Sequence, residues 1–201
     1  MDLTIREMTA VDWAAAPGLD ARAFADEPFA IGMFGRHRHE RFIGLLRLNN
    51  PWPPLRDFQV GYVAVVEGVM VAMAAGRLAG HCRQCTEVDP GASVPEDPAL
   101  AVDHEFDVAV HHAHARSVGV PHAHVGPVMT EPLLFGRGIG AQVMVPLMER
   151  LWAVGSSCVV LECVPARVTF YERCGFRVLD EFADPAGPSL TVCLMRADPP
   201  S

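Results

Sequence analysis

Two groups of residues in this sequence have types and spacings that suit chemistry. In the stretch EPLLFGRGIGAQVM, residues 131–144, Gly136, Gly138 and Gly140 stand between an apolar run and a helix-like run, with Arg137 among them. Glycines let a main chain bend tightly and approach a ligand without Cβ atoms. The unpaired N–H groups of a helix's first turn point outward with the positive end of the helix dipole behind them. Such a junction suits a pyrophosphate, to which Arg137 adds a charge-assisted donor, although a glycine turn of this kind also occurs with no ligand at all. The second group is HCRQC, which offers His81, Cys82 and Cys85, followed by a helical run carrying Asp107, His111 and His114 on one face. A Cys-x-x-Cys with two histidines can build a tetrahedral zinc site. Here the second half lacks the compact spacing of a zinc finger, so the expectation is a solvated insertion and no metal.

These groups need elements to hold them. DLTIRE, residues 2–7, alternates as a strand, and VDWAAAPGLDARAF after it has helical spacing broken by Pro17 and Gly18. Phe34, Arg38, Phe42, Leu45 and Leu46 recur at helical intervals in a second helix that Asn49, Asn50 and Pro51 end. Two β-rich runs separated by Glu67 and Gly68 read as an antiparallel hairpin. Residues 81–100, rich in proline, glycine and acidic groups, read as a loop, and helical spacing returns from about 98 to 117. Then come a strand ending at Thr130, a helix from Gly138 containing Pro146, a strand through SCVVLECV, a short helix through RVTFYERCGF and a last strand, SLTVCLMRA. This order implies an α/β fold: a mixed, mostly antiparallel central sheet with helices on both faces, in one domain over residues 1–201 with a loop-helix insertion at about 81–121.

Composition narrows the partners. Half of the 201 residues are hydrophobic and a fifth are charged, enough apolar surface for one core. A net charge of −8 argues against nucleic acid and anionic membranes, which select basic patches. No apolar run approaches the roughly 18 residues of a membrane helix and the first residues lack the order of a signal peptide, so a cytoplasmic protein is expected. Cys158, Cys163 and Cys193 lie in apolar surroundings and read as buried hydrophobes, not as a disulfide framework.

From His124 to Phe176 the chain resembles the acyl-CoA-binding half of the GNAT-type N-acetyltransferase superfamily. HVGPVMTEP is similar to its fourth strand, FGRGIGA to its Gln/Arg-x-x-Gly-x-Gly/Ala loop, and YERCGF to its Tyr-x-x-x-Gly-Phe ending, in the family's order. The resemblance implies acetyl-CoA as co-substrate, its pantetheine arm along the main chain of Val128, Met129 and Thr130, and its pyrophosphate on the amides of Phe135, Gly136, Arg137, Gly138, Ile139, Gly140 and Ala141. Phe135 stands where the family has Gln or Arg, which removes a side-chain contact but no amide. The resemblance also implies transfer of acetyl to a primary amine, expected to be a small molecule, by direct attack in a ternary complex.

That reaction needs a neutral amine, a polarised carbonyl and a proton for the departing thiolate. Tyr171 occupies the family's proton-donor position. The base is either His124, early on the fourth strand, or Glu162, on the next one. Asp26 and Glu27, at the junction of the first two helices, could attract a cationic amine, though a solvated acidic loop is the expected state. A homodimer is an allowed assembly. The alternative to an enzyme is a non-catalytic module that binds acyl-CoA as a regulatory ligand.

Overall fold

The computed structural model describes residues 2–48, 58–184 and 187–200. Strand β1 (Leu3–Glu7) leads into helices α1 (Ala10–Phe24), α2 (Pro28–Phe34) and α3 (Arg38–Leu48). Strands β2 (Val60–Val66) and β3 (Val69–Arg77) precede the short α4 (Arg83–Thr86) and the long α5 (Pro98–Ser117). Strand β4 (Ala123–Thr130), α6 (Ile139–Ala153), β5 (Val159–Cys163), α7 (Val168–Arg173), β6 (Arg177–Asp184) and β7 (Gly187–Ala197) complete the order.

The strands form one sheet in the order β1-β2-β3-β4-β5-β7-β6, in which β4 and β5 run parallel and every other neighbour is antiparallel. This is the mixed, mostly antiparallel sheet that the element order implies. Positive φ at Glu67 (50°) and Gly68 (80°) closes the β2–β3 hairpin with the primed turn that matches strand twist. Helices cover both faces. On one, α6 packs Ile139, Val143, Met144, Leu147 and Leu151 over β2, β3 and β4, with Tyr171 and Phe176 from the α7 segment in the same core. On the other, Trp13, Ala16 and Leu19 of α1 meet Val63, Met73 and Met129, while Ala113 of α5 meets Val160 and Leu194. No helix among the described residues is long and apolar enough to cross a membrane.

Several elements differ from the sequence expectation, among them the short α4 inside the expected 81–100 loop. Helix α1 runs straight through Pro17 and Gly18. A proline inside a helix costs about 3 kcal/mol, but burying a large apolar side chain returns about 1.5–3 kcal/mol, and α1 buries Trp13 and Leu19 as well as small alanines. Its start is fixed by Asp12, whose Oδ2 accepts from the Thr9 amide (2.7 Å) and hydroxyl (2.6 Å) and from Arg6 (2.7 Å). The second expected helix starts only at Arg38, as α3, while Phe34 ends a separate helix, α2, that was not expected, and Gly35 (φ 85°) parts the two. Buried Arg41 supports that break by donating to the carbonyls of Ala25, Gly35 and Arg36 and to Asp26. The stop at Asn49, Asn50 and Pro51 lies outside the described residues. Strand β6 was not expected at all. Its pairing with β7 shifts register between Val178 and Asp180, which interrupts the period of two in RVLDEFAD, and its charges suit an edge strand.

Candidate active site

The site begins where the sheet stops being continuous. β4 and β5 pair only at Ala123–Val159 and His124–Val160, so β4 from Val125 onward is bonded on its β3 side alone. Val128, Met129 and Thr130 stay in register with Ala74, Met73 and Ala72, and their other edge faces the wedge between the diverging strands. Beyond Thr130 the chain makes a 3-10 turn at Pro132–Leu134 and reaches Gly136 (φ 76°) and Gly138 (φ 74°), both left-handed. Gly138 caps α6, so the amides of Ile139, Gly140 and Ala141 have no acceptor within the helix and point out of its first turn. A Cβ on Gly140 would stand 3.1 Å from Thr130 Oγ1 and 3.4 Å from the Phe170 ring, so glycine here lets the helix seat against the end of β4. Of the seven residues whose amides the resemblance assigns to phosphate, two already donate to carbonyls, Phe135 to Pro132 (3.2 Å) and Arg137 to Leu134 (3.4 Å). The open cradle is therefore Gly136 and Gly138 through Ala141.

Tyr171 lies on this same side of the sheet, 9 % exposed, its ring edge-on to Phe170 (4.8 Å) and Phe176 (6.1 Å). Burial, with Cys163 and Cys174 nearby, pushes its phenol well above the ordinary tyrosine value. It keeps its proton at neutral pH, the state a proton donor needs.

His124 and Glu162 face the opposite side, and the structure makes partners of the two residues that the sequence offers as rivals. His124 Nε2 donates to Glu162 Oε2 at 2.7 Å, and His114 Nε2 from α5 donates to Glu162 Oε1 at 2.6 Å. Burial alone would raise the Glu162 carboxyl, but His124 and His114 outweigh it and hold it well below the usual carboxylate range. An ionised carboxylate only accepts, which puts the imidazole protons on both Nε2 atoms. The remaining nitrogen of His124, Nδ1, lies 3.5 Å from Arg77 Nη1, a group that can only donate. Arg77 in turn stacks its guanidinium 4.3 Å from the Phe58 ring centroid.

Sequence reasoning missed Arg77, His114 and His122 as parts of this network. His122 and His124 are two apart at the head of a strand and so share a face, a signal the sequence did contain. The expected companions of His114 go elsewhere: Asp107 pairs with Arg83 at 2.9 Å and His111 meets His112 edge-on at 5.6 Å. The insertion is also not a solvated appendage, since Cys82, Val110, Ala113 and His114 within it are all buried.

The acidic junction is neutralised. Asp26 pairs with Arg38 (2.9 Å) and Arg41 (2.6 Å), and Glu27 pairs with Arg167, whose guanidinium lies 5.5 Å from the Phe135 ring centroid. Neither carboxylate is solely solvated. Glu27 and Arg167 border a cavity of about 340 Å³ with Pro28, Val164, Pro165, Ala166 and Thr191, next to the wedge.

Comparison with known proteins bears on the family and the fold. The model of the acetyltransferase (GNAT) family matches residues 6–176. Glucosamine 6-phosphate N-acetyltransferase 1 of rice, Oryza sativa subsp. japonica, is 29 % identical over 177 residues, covering 84 % of this chain and 90 % of that protein. Among solved structures, Drosophila melanogaster polyamine N-acetyltransferase superposes with a TM-score of 0.70 at 19 % identity, over 98 % of this chain and 100 % of that one. Mosquito arylalkylamine N-acetyltransferase-like 5b does so with a TM-score of 0.64 at 13 % identity, over 98 % and 100 %. At these identities the structural likeness concerns the fold.

Proposed function

The chain belongs to the acetyltransferase (GNAT) family, and from that premise we propose how its own residues carry acetyl from acetyl-CoA to the primary amine of a small molecule. The observation that carries the reading is the unpaired edge of β4 leading directly to the exposed amides of α6. The pantetheine amides pair with the main chain of Val128–Thr130 as an added strand would, and the pyrophosphate lies on the amides of Gly136 and Gly138–Ala141. Arg137 adds a charged donor at the rim. The thioester then sits in the wedge, between the Tyr171 side of the sheet and the His124 side.

The amine nitrogen attacks the carbonyl carbon, forming the C–N bond, and collapse of the tetrahedral adduct breaks the C–S bond. The electron pair goes to sulfur, which takes the proton of Tyr171. The proton lost by the amine passes through water to Nδ1 of His124, in place of its long 3.5 Å contact with Arg77, while Glu162 goes on accepting from Nε2. Support for a small acceptor comes from relatives named for glucosamine 6-phosphate and for polyamines, and from a net charge of −8 that favours neutral or cationic partners. Six cysteines with no disulfide among the described residues suit a cytoplasmic location, where thiols stay reduced.

The test is calorimetric titration with acetyl-CoA followed by thiol release across a panel of amino sugars, polyamines and arylalkylamines. Saturable binding with turnover on at least one amine supports the reading. Binding with no turnover on any amine overturns it in favour of a regulatory acyl-CoA module.

A further inference from the structure

The cysteines and histidines of the insertion converge with a residue the sequence did not connect to them. Sγ of Cys82, Sγ of Cys85, Nδ1 of His114 and Nε2 of His122 all lie within 4.8 Å of one another. Cys82 Sγ is 3.6 Å and Cys85 Sγ 3.5 Å from His114 Nδ1, and Cys85 Sγ is 3.8 Å from His122 Nε2. With Zn–S near 2.3 Å and Zn–N near 2.0 Å, the edges of a tetrahedral site are about 3.3–3.8 Å long. Three of the six edges between these atoms already have such lengths, and the other three lie within 4.8 Å. They come from three separate pieces of chain: the α4 turn, the last third of α5 and the residue preceding β4.

The surroundings prepare each donor. The Cys82 carbonyl accepts the amides of Cys85 (3.0 Å) and Thr86 (3.1 Å), a turn that holds the two ligating cysteines of the Cys-x-x-Cys together. His114 gives its Nε2 proton to Glu162 at 2.6 Å, and His122 Nδ1 lies 3.0 Å from the Val120 carbonyl, an acceptor that fixes the proton there. Each imidazole therefore keeps its lone pair on the nitrogen that faces the sulfurs. Carboxylate and carbonyl partners of this kind orient and strengthen histidine ligands at zinc. Cys82, His114 and His122 are 2 %, 2 % and 4 % exposed, while Cys85 is exposed and leaves a path by which an ion enters.

We propose that Cys82, Cys85, His114 and His122 bind one zinc ion as a closed, structural Cys₂His₂ site that clamps the insertion to the head of β4. Two thiol protons leave to solvent as the thiolates coordinate, and four protein ligands leave no position for water or substrate. The donor set and its tetrahedral spacing select zinc over magnesium, calcium or manganese, which require oxygen. The second grouping, His114 with His124 and Glu162, is not a rival site, because its short distances are those of imidazole N–H groups donating to a carboxylate. Zinc on His114 Nδ1 thus fixes Glu162, and on the functional reading above Glu162 fixes His124, so the ion acts as a remote positioning element for the base.

The experiment uses the full chain purified without a histidine tag, reduced, stripped by chelator and titrated with zinc alone and with cobalt(II) alone. One equivalent of zinc is expected, with a rise in melting temperature, and cobalt should give the intense visible bands of a tetrahedral site together with thiolate-to-metal charge transfer. Cys85→Ser and His122→Ala should each weaken zinc by more than about 100-fold, Glu162→Gln by about 10- to 100-fold as an outer partner does, and His111→Ala not at all. The cobalt spectrum of the unaltered chain decides the matter even if a variant fails to fold. No uptake by the reduced protein, a six-coordinate cobalt spectrum without thiolate bands, or loss of zinc in His111→Ala but not in His122→Ala overturns the proposal. These readouts do not depend on acetyl transfer, so a failure here is distinct from a failure of the enzymatic reading.

Discussion

The two faces of the sheet solve different problems. The α6/α7 face is assembled from one contiguous stretch, β4 to α7, and its polar components are main-chain amides that any non-proline residue supplies. The α1/α5 face buries side chains that are costly to bury: Asp20, Asp107, His114, His124 and the Glu162 carboxylate all lie there or at its edge. The ionised members are held by groups distant in sequence, Glu162 by residues 48 and 38 positions away and Asp107 by Arg83. A site made of amides needs little stability from its side chains, whereas a buried ionic network is destabilised by about 3–5 kcal/mol when one partner is removed. Substitutions on the first face should therefore register as lost binding or turnover in a folded protein, and those on the second as altered stability, joined by lost turnover where they touch His124 or Glu162.

The largest effect tests the first half of that contrast. Gly138→Asp adds a carboxylate on a left-handed residue beside the proposed phosphate cradle, where an added Cβ itself meets only open space. Acetyl-CoA affinity should fall by about two orders of magnitude or more by calorimetry, from charge repulsion at the helix N-terminus. Gly138→Ala, with the same backbone strain of about 1 kcal/mol and no charge, should keep most of it. Equal affinity in the aspartate variant would remove the cradle from this loop. Next in size, Tyr171→Phe deletes one hydroxyl on the same face. Turnover should drop by about 10²–10⁴ with acetyl-CoA affinity and melting temperature near those of the parent chain. Full turnover in the phenylalanine variant would take the donor's role away from Tyr171.

The same contrast explains what could be read from the sequence. Glycine spacing, the Tyr-x-x-x-Gly-Phe ending and the hairpin turn are local patterns, each dictated by backbone conformation over a few residues, and they place the α6/α7 face correctly. Strand β6 stayed hidden because a register shift interrupts its alternation. The α2–α3 break stayed hidden because Arg41, which satisfies its carbonyls, looks in sequence like any exposed helix charge. On the insertion, spacing along α5 suggested His111 with His114. The true fourth member of the cluster, His122, sits across a turn, and only the fold of α5 back onto β4 brings it within reach. Local rules carry the first face; long-range pairing makes the second.

A pH series probes the stability of that second face. Asp20 on α1 is 6 % exposed, and burial pushes its carboxyl up to about 7. In the unfolded chain the same group ionises near 3.8. Below that value both states hold the proton and Asp20 contributes no pH dependence. Between about 4 and 7 the native state keeps a proton that the unfolded state has lost, so stability falls as pH rises, by up to about 1.4 kcal/mol per pH unit. Above about 7 both states are ionised and the slope vanishes. Denaturant melts at intervals from pH 4 to 8 should show this decline in the parent chain and its removal in Asp20→Asn, which matches the parent at the acid end and exceeds it at the alkaline end. Parallel stability curves for the two proteins would mean that α1 solvates this carboxylate as well as water does, and the distinction drawn between the faces would then rest on the histidine network alone.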